Sequence, residues 1–236
     1  MKVVDNLYAY LWPGVTMADM MRYGNNANSY LIADGASGGV KPRHILIDPG
    51  QMTNESGMNC LERLTKEIDK DGFNLADIGL VILTHGHPDH CLGARHFRDK
   101  HKAQVAIGEG ESAMLKAVMP GFQPDIWLKE GDFNPGAVKL QVINTPGHSP
   151  GGIAIYWSDK KALFVGDVIF QKNTGRTDLP GGSGKLLQQS IKKLAALDVE
   201  YLLTGHQYQS AGMIKGVKEI KANFDFIIEN VFPYLA

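Results

Sequence analysis

The sequence predicts an α+β protein in which two mixed β-sheets pack face to face and helices cover their outer surfaces. Short apolar runs bounded by turn residues are typical of strands, and they come in hairpin pairs in each half of the chain. Segments with apolar residues at helical spacing lie between these pairs. Sheets and helices in this order are stable when they are layered against one another, so we expect two inner sheets with helices outside.

In the first half, the expected order is strand, long loop, strand pair, helix and strand. A first strand is expected over 3–11, and a hairpin over 29–33 and 44–48 follows the loop, with Gly-rich turn residues between its strands. The segment 58–70 has apolar residues at the spacing of a helix with one buried face. A buried strand over 80–83 then leads into a histidine-rich loop.

The later elements continue this alternation. They are a helix over 92–100, a strand over 103–107, a helix over 109–119, a strand over 137–144, a hairpin over 152–157 and 162–165, a helix over 185–197, a strand over 201–203 and a final helix over 213–229. Two segments stay open. Trp12 and the methionines of the loop 12–26 either line an apolar pocket or pack under the loop. The segment 120–133 is expected to be irregular. It is either a connection between elements, which we favour, or a rim over a site.

The composition is that of an ordinary globular protein. Of 236 residues, 44% are apolar and 21% are charged, which is enough for a sizeable core. The formal net charge of −1 gives no overall basic surface for nucleic acid or an anionic membrane. Cys60 and Cys91 are too few for a disulfide framework and fit a reducing compartment. The start of the chain lacks the apolar core of a signal peptide, and no apolar run approaches the ~20 residues that span a bilayer. We expect a cytoplasmic protein that acts on a small molecule.

The main functional signal is the loop 84–90, with the sequence THGHPDH. Three imidazoles and one carboxylate lie within six residues, directly after a buried strand. Loops that a rigid scaffold holds at strand ends commonly carry catalytic and binding residues. His and Asp are side chains that bind borderline divalent metals such as zinc. The sequence therefore predicts metal ligands at His85, His87, Asp89 and His90.

One short loop cannot enclose an ion, so further ligands are expected at other strand ends. The candidates are His148, Asp167 and His206. Each follows a short apolar run and a glycine, which allows a sharp turn and a close backbone approach. A lone histidine after a strand is more often structural than a ligand, but three candidates in the same local context support one another.

The order of these residues resembles the metallo-β-lactamase superfamily of metal-dependent hydrolases. That order is a His-x-His-x-Asp-His loop, a lone His, a lone Asp and a last His. The segments NSYLI at 28–32, DPG at 48–50, TPGHSPG at 145–151 and VGD at 165–167 are also similar to those of the superfamily. The resemblance covers nearly the whole chain and implies one domain over residues 1–236, an αββα four-layer sandwich with the site at one edge of the paired sheets.

The resemblance also implies a dinuclear metal site. It places His85, His87 and His148 on one metal and Asp89, His90 and His206 on the other, with Asp167 bridging the two. Two such cations share a water, lower its pKa and polarise the substrate oxygen. Two zinc ions are expected, with iron and manganese as alternatives, and Asp89 and Asp167 are the expected catalytic carboxylates.

Within the superfamily, the chain resembles the glyoxalase II-like branch and the related persulfide dioxygenases. The segment GRTD at 175–178 is similar to theirs, and so is HQY at 206–208. The diiron flavoproteins resemble it less, since their pattern has Glu in place of His87. Glyoxalase II itself has a C-terminal helical domain, whereas 30 residues follow His206 here. The resemblance is therefore to the shorter glyoxalase II-like proteins.

Several residues close in sequence to the predicted ligands also have expected roles. Arg176 is a candidate for binding a substrate carboxylate, although we prefer an ion pair with a nearby acid. Tyr208 is either a hydrogen-bond donor to substrate or a packed aromatic. Cys91 is expected to be a small buried residue at the start of a helix rather than a ligand. Thr84 and Asn144 are expected in ordinary turn or cap roles rather than as supports for the ligands.

Three activities follow from this set of residues. The first is hydrolysis of a thioester or ester at the dinuclear site. The second is a mononuclear iron persulfide dioxygenase, with His85, His148 and Asp167 as a facial triad. The third is lactone or phosphodiester hydrolysis on the same two metals. The complete ligand set and the GRTD segment favour the first, and the unbroken set argues against a scaffold that has lost its chemistry.

Overall fold

The structure is a computed structural model that describes residues 1–13, 17–34, 43–207 and 212–235. Two large sheets pack face to face, and helices cover both outer surfaces. The predicted α+β sandwich of four layers is therefore confirmed.

The first sheet has seven strands within the described ranges. In sheet order they are β1 (Lys2–Val4), β2 (Leu7–Tyr10), β3 (Ser29–Ile32), β4 (His44–Ile47), β5 (Ile78–Leu83), β6 (Gln104–Gly108) and β7 (Ile126–Leu128). The pairs from β1 to β4 are antiparallel, and those from β4 to β7 are parallel. Because β4 and β5 are parallel neighbours, their C-terminal ends lie side by side at one edge of the sheet.

The later strands form the second sheet and a separate two-stranded hairpin. These are β8 (Gly131–Phe133), β9 (Leu140–Asn144), β10 (Ile153–Trp157), β11 (Ala162–Gly166), β12 (Ile169–Phe170), β13 (Asn173–Thr174), β14 (Tyr201–Thr204) and β15 (Met213–Lys215). Among the described residues the sheet order is β15-β14-β11-β10-β9-β8, and β12 pairs with β13 in a separate hairpin. Both β9 and β11 run antiparallel to β10, and β14 runs parallel to β11. The C-terminal ends of β9, β11 and β14 therefore meet at one edge.

Helices cover the outer face of each sheet. The helices within the described ranges are α1 (Met17–Tyr23), α2 (Cys60–Lys70), α3 (Pro88–Cys91), α4 (Ala94–His101), α5 (Ser112–Val118), α6 (Gly184–Ala195) and α7 (Val217–Asn230), and all of them except α1 contribute to the apolar clusters on the outer faces. The side chain of Asn59 caps α2 by accepting a hydrogen bond from the amide of Glu62, and Ser183 caps α6 in the same way through the amide of Leu186.

Three apolar layers hold the sandwich together. Between the sheets, Tyr30 packs in the same cluster as Phe164 and Leu203. A second cluster joins the outer face of the first sheet to α2, α4 and α5, and it includes Ile68 and Phe97. A third joins the second sheet to α6 and α7. Burial of each large apolar side chain stabilises the fold by roughly 1.5–3 kcal/mol, so these layers fix the sheet edges that carry the site.

Two of the expected boundaries are wrong because tertiary pairing decides them. The strand expected over 3–11 is interrupted at Asn6, whose φ of 65° turns the chain so that β1 pairs with β2. The helix expected from residue 213 begins at Val217, because 213–215 pair with β14 as an edge strand.

Two segments that were expected to lack regular secondary structure contain helix or strand. The loop 12–26 includes α1, and the segment 120–133 carries β7 and β8. Since β7 belongs to the first sheet and β8 to the second, this segment carries the chain from one sheet to the other, and its interpretation as a connection is confirmed. These strands are three residues each, too short to show a clear alternation.

None of the helices in the described part of the chain combines the length and the apolar character that a bilayer crossing requires.

Candidate metal centre

The first group of predicted ligands comes from the loop after β5 and the loop after β9. Nε2 of His85 lies 3.0 Å from Nδ1 of His87, and Nε2 of His148 lies 2.9 Å from the same Nδ1 atom. The ligand atoms of these three residues all lie within 4.8 Å of one another. Three ring nitrogens thus face a common point, which is the arrangement of a His₃ metal site.

The second group joins α3 to the loop after β14. Nε2 of His206 lies 3.3 Å from Oδ2 of Asp89 and 3.3 Å from Nε2 of His90. These three ligand atoms also lie within 4.8 Å of one another. Pro88 starts α3, and this single helical turn presents Asp89 and His90 towards the second group.

Asp167 lies between the two groups. Its Oδ2 atom is 3.5 Å from Nε2 of His148 and 3.3 Å from Nε2 of His206, and its Oδ1 atom is 3.2 Å from Nε2 of His90. A carboxylate in this position can bind one cation with each oxygen. The structure therefore brings together all seven residues that the sequence predicts as ligands.

Asp48 orients one histidine of each group. Its Oδ1 atom accepts a hydrogen bond from the amide of Thr84 (2.8 Å), and its Oδ2 atom accepts from the Thr84 hydroxyl (2.7 Å) and from Nδ1 of His90 (2.8 Å). Because the Thr84 hydroxyl donates to Asp48, it accepts from Nδ1 of His85 at 3.0 Å. Both histidines are thus held with Nε2 facing the site. Partners of this kind fix ligand tautomers and raise ligand basicity.

The expected turn or cap role for Thr84 is therefore incomplete, because its hydroxyl supports His85 directly. Asn144 does not support the site. It lies exposed at the end of β9, where its backbone N–H donates a hydrogen bond to the Glu130 carboxylate.

The backbone of Arg176 orients His148. Nδ1 of His148 lies 2.8 Å from the carbonyl oxygen of Arg176, which can only accept, so Nδ1 carries the proton and Nε2 faces the metal centre. The Arg176 side chain makes a bidentate pair with Asp178, at 2.9 and 2.8 Å. The preferred ion pair is thus present, and a role for the guanidinium in substrate binding stays a prediction.

Glu111 joins two ligand loops. Its fully buried carboxylate accepts one hydrogen bond from the amide of Gly86 (2.9 Å) and one from the amide of Gly151 (2.8 Å). Gly86 lies between the first two ligand histidines, and Gly151 closes the loop that carries His148. Glu111 therefore fixes the two loops relative to each other.

Two glycines permit the close approach that the ligand loops require. A Cβ atom at Gly205 would lie 2.1 Å from Oδ1 of Asp167, and a Cβ at Gly166 would lie 2.4 Å from the Thr84 hydroxyl. Gly166 also has a φ of 48°, a backbone conformation that residues other than glycine rarely adopt.

Burial and like charges keep part of the cluster neutral. Burial, together with the His90 and His148 rings, lowers the pKa of His85 well below its ordinary value. Burial and the His148 ring lower the pKa of His87 to about 4. Both imidazoles are neutral near pH 7, which is the form that binds a metal.

The carboxylates have the opposite effect on the other histidines. Burial opposes the charged form of His206, but Asp167 and Asp89 outweigh it and raise its pKa to about 10. Against burial, Asp167 and Asp48 raise the pKa of His90 well above its ordinary value. Burial likewise opposes ionisation of Asp167, but His206 and His90 hold its pKa well below the usual range. The half of the site that contains His90, Asp167 and His206 therefore stabilises a positive charge.

The donor set fits a metal. Nδ1 of His90 donates to Asp48, and Nε2 of the same ring faces Oδ1 of Asp167 at 3.2 Å. That oxygen is buried and accepts no hydrogen bond from the described residues. Two lone-pair atoms at this distance require a proton or a cation between them, and buried acceptors without a partner are costly. Histidine nitrogens and carboxylate oxygens in this set are ligands that zinc and iron both accept.

The site opens into a cleft of about 950 Å³. Ligands of both groups line its floor, including His87, Asp89 and His206. Trp12 lies on its wall and donates a hydrogen bond from Nε1 to the carbonyl of Gly24 (3.0 Å), so it both lines a pocket and packs under its loop.

Cys91 and Tyr208 are the remaining residues for which the sequence predicts a role. Cys91 is fully buried, as expected, but it ends α3 instead of starting a helix, and its thiol lies 3.5 Å from the carbonyl oxygen of Gly86. Tyr208 lies outside the described residues, so its role stays a prediction.

Sequence reasoning did not find Asp48, Glu111 or Asn28 as supports of the site. The side chain of Asn28 accepts from the amide of Trp12 (2.9 Å) and donates to the carbonyl of Thr204 (3.0 Å), which fixes the strand that precedes His206. The available signals were the acid in the DPG segment and the asparagine in the NSYLI segment. Glu111 had none, because it reads as an ordinary acidic residue near a helix start.

Comparisons with known proteins agree with this geometry. A family model described as the metallo-beta-lactamase superfamily matches residues 22–206. The hydroxyacylglutathione hydrolase GloC of Haemophilus influenzae is 30% identical over 187 residues, which cover 72% of this chain and 83% of that protein.

Solved structures share the fold. A metallo-β-lactamase family protein of Thermus thermophilus superposes with a TM-score of 0.74 at 21% identity, over 98% of this chain and 80% of that one. The protein TTHA1623, solved in a di-iron-bound form, gives a TM-score of 0.65 at 25% identity, over 89% of this chain and 95% of that one.

Proposed function

This chain belongs to the metallo-β-lactamase superfamily, whose members are generally metal-dependent hydrolases, and from that premise we propose that it is a dinuclear hydrolase of a thioester or ester. His85, His87 and His148 would hold one divalent ion and Asp89, His90 and His206 the other, with Asp167 shared. The name of GloC denotes hydrolysis of hydroxyacylglutathione, which supports an acyl substrate here.

The position of Asp167 carries this proposal. Its two oxygens reach histidines of both groups, at 3.2 to 3.5 Å, so one carboxylate serves two adjacent sets of ligands. The alternative mononuclear iron centre uses only His85, His148 and Asp167. It leaves unexplained why Asp89, His90 and His206 form a second set within 4.8 Å.

The chain's own residues orient the ligand side chains and position the substrate. Two divalent cations, when bound, lower the pKa of a water between them and polarise the carbonyl oxygen of the substrate. Asp48 and Thr84 keep the ligand histidines in the tautomer that faces the floor of the cleft. Asn25 donates to Oδ2 of Asp89 (2.6 Å) and holds that carboxylate towards His206. The cleft places the acyl group of the substrate above this floor.

Replacement of Asp167 by Ala tests the proposal, with Asp159→Ala as the matched control. Both residues flank β11, but Asp159 is exposed at the opposite end of that strand. We expect the wild type and Asp159→Ala, purified without chelator, to contain two metal ions per chain and to cleave thioesters or esters. Asp167→Ala should lose metal and at least about 10³-fold in kcat, the order expected when transition-state charge stabilisation is removed. Full metal content and rate in Asp167→Ala would contradict the proposal.

Elemental analysis and a substrate panel separate the other activities. One iron per chain, with oxygen uptake on glutathione persulfide, would replace this proposal by a dioxygenase. Faster cleavage of lactones or phosphodiesters than of thioesters and esters would keep the metal site but change the substrate.

A further inference from the structure

We infer that the substrate of this hydrolase carries a neutral, predominantly apolar acyl group. The inference rests on the proposed function for the bond that is cleaved. It goes further by naming the chemistry of the group that the cleft recognises.

Six apolar side chains from segments far apart in sequence line the walls of the cleft. This apolar wall consists of Trp12, Met114, Val118, Phe170, Leu179 and Leu235. Two of its members come from α5 and one from β12, and Leu235 comes from the turn that follows α7. Side chains from several elements surround the ligand floor, so an acyl group whose carbonyl lies on that floor contacts apolar surface along its length.

The turn that carries Leu235 is held in place by α6. The side-chain amide of Gln188 donates to the carbonyl of Phe232 (3.1 Å) and to the carbonyl of Leu235 (3.2 Å). The wall is thus a built part of the fold on this side of the cleft.

Away from the metal centre, the cleft provides little positive charge for a substrate anion. Among the described residues that line it, Arg176 supplies the one Lys or Arg side chain. Its guanidinium already makes a bidentate pair with Asp178. A substrate carboxylate would have to displace that partner and would be repelled by it. The adjoining segments 14–16 and 208–211 contain no Lys or Arg in their sequence.

Two polar side chains near the floor, Asn25 and Asn26, are engaged with the protein itself. Asn25 binds Asp89, and Oδ1 of Asn26 accepts from the amide of Gln51 at 2.8 Å. Among the described lining residues, an anionic substrate body would meet no Lys or Arg other than Arg176, which is already paired, so the loss of its hydration would be costly. A hydrocarbon body instead gains by leaving water, because each fully buried methylene is worth about fourfold in affinity.

The test uses thioesters of N-acetylcysteamine, a neutral thiol, with acetyl, octanoyl and succinyl groups. With the metal-loaded full chain, we expect kcat/KM for the octanoyl thioester to exceed that for the acetyl thioester at least tenfold, since two buried methylenes suffice for that ratio. The succinyl thioester, whose acyl group ends in a carboxylate, should be cleaved more slowly than the octanoyl one. A kcat/KM that is flat or falls with chain length, or a preference for succinyl, would overturn the inference.

A variant pair tests the wall directly. Leu179→Lys places a charge on the wall, and we expect it to lower the octanoyl-to-acetyl ratio of kcat/KM about tenfold, while Leu179→Met keeps the ratio. Leu186→Lys is the matched control, because Leu186 is 40% exposed on α6 and does not line the cleft. The ratio is independent of the fraction of folded or metal-loaded enzyme. An unchanged ratio in Leu179→Lys would contradict the role of the wall.

Binding of a ketone analogue distinguishes this inference from the proposed function. In the analogue a methylene replaces the thioester sulfur, so it cannot be hydrolysed, and calorimetry measures its affinity at two chain lengths. Tighter binding of the heptyl ketone, which matches the octanoyl thioester, than of the methyl ketone, without cleavage of any thioester or ester, would reject the hydrolase and keep the apolar specificity. Cleavage of thioesters with equal affinity for both ketones would keep the hydrolase and reject the specificity.

Discussion

Nδ1 of His90 lies 2.8 Å from Oδ2 of Asp48, and both side chains are buried beside the metal centre. The same carboxylate holds Thr84, which in turn holds His85. One acid at the end of β4 therefore orients a ligand of each group. Asp48 itself has a φ of 49°, a strained value for a residue with a side chain.

Replacement of Asp48 by Asn should weaken metal binding without removing a ligand. The amide group that replaces one oxygen of Asp48 must face a hydrogen-bond donor, either the Thr84 amide or hydroxyl or the Nδ1 proton of His90. Loss of such a partner lowers metal affinity about 10- to 100-fold. Competition with a coloured chelator measures this affinity, with the exposed Asp159→Asn as control. Equal affinities for both variants would show that Asp48 does not orient the ligands.

Replacement of Glu111 by Gln should loosen the two loops that it joins. One of its two acceptor oxygens becomes an amide that faces a backbone N–H of Gly86 or Gly151. Leaving a buried donor without a partner costs about 1–3 kcal/mol, so the free energy of unfolding in urea should fall by that amount. Metal affinity should fall as well. The control is Glu109→Gln on the same turn, which is exposed and should change neither quantity. An unchanged free energy of unfolding for Glu111→Gln would show that Glu111 does not hold the two loops together.

Replacement of Gly205 by Ala should displace Asp167. The new methyl carbon would lie 2.1 Å from Oδ1 of Asp167 and 2.8 Å from Cε1 of His90, so either the loop or the carboxylate must move. We expect less than the full metal content by elemental analysis. Gly121→Ala is the control, since its φ is 74° but nothing lies within 4 Å of the added atom. It should cost about 1 kcal/mol of stability or slightly more and leave the metal in place. Full metal content in Gly205→Ala would show that Asp167 tolerates the shift.

Removal of metal should lower the melting temperature of the wild-type protein. A ligand at a hundredfold excess over its Kd stabilises the folded state by about 2.7 kcal/mol, which corresponds to roughly 5–10 °C for a chain of this size. A thermal scan with and without a chelator measures the difference. The Asp167→Ala protein should show a much smaller chelator effect. Similar shifts in both proteins would mean that the metal that stabilises the wild type is bound elsewhere.

Predictions from sequence held where the signal was local. The strand over 80–83 became β5, the helix over 58–70 became α2, and His148, Asp167 and His206 each follow a strand. They failed where pairing with a distant strand decides the conformation, as at β15, whose residues were expected to start the final helix but complete the edge of a sheet.

By itself, the sequence determined which side chains are candidates for metal binding, because the identity of His and Asp side chains and their place at strand ends are properties of short segments. Only the tertiary structure decided which residues orient those ligands and what surrounds the substrate. Asp48 lies 42 residues from His90, and Glu111 lies 40 from Gly151. The walls of the cleft come from elements that meet only when the two sheets pack. Contacts between such distant residues form because apolar burial brings the layers together, and no short stretch of sequence encodes them.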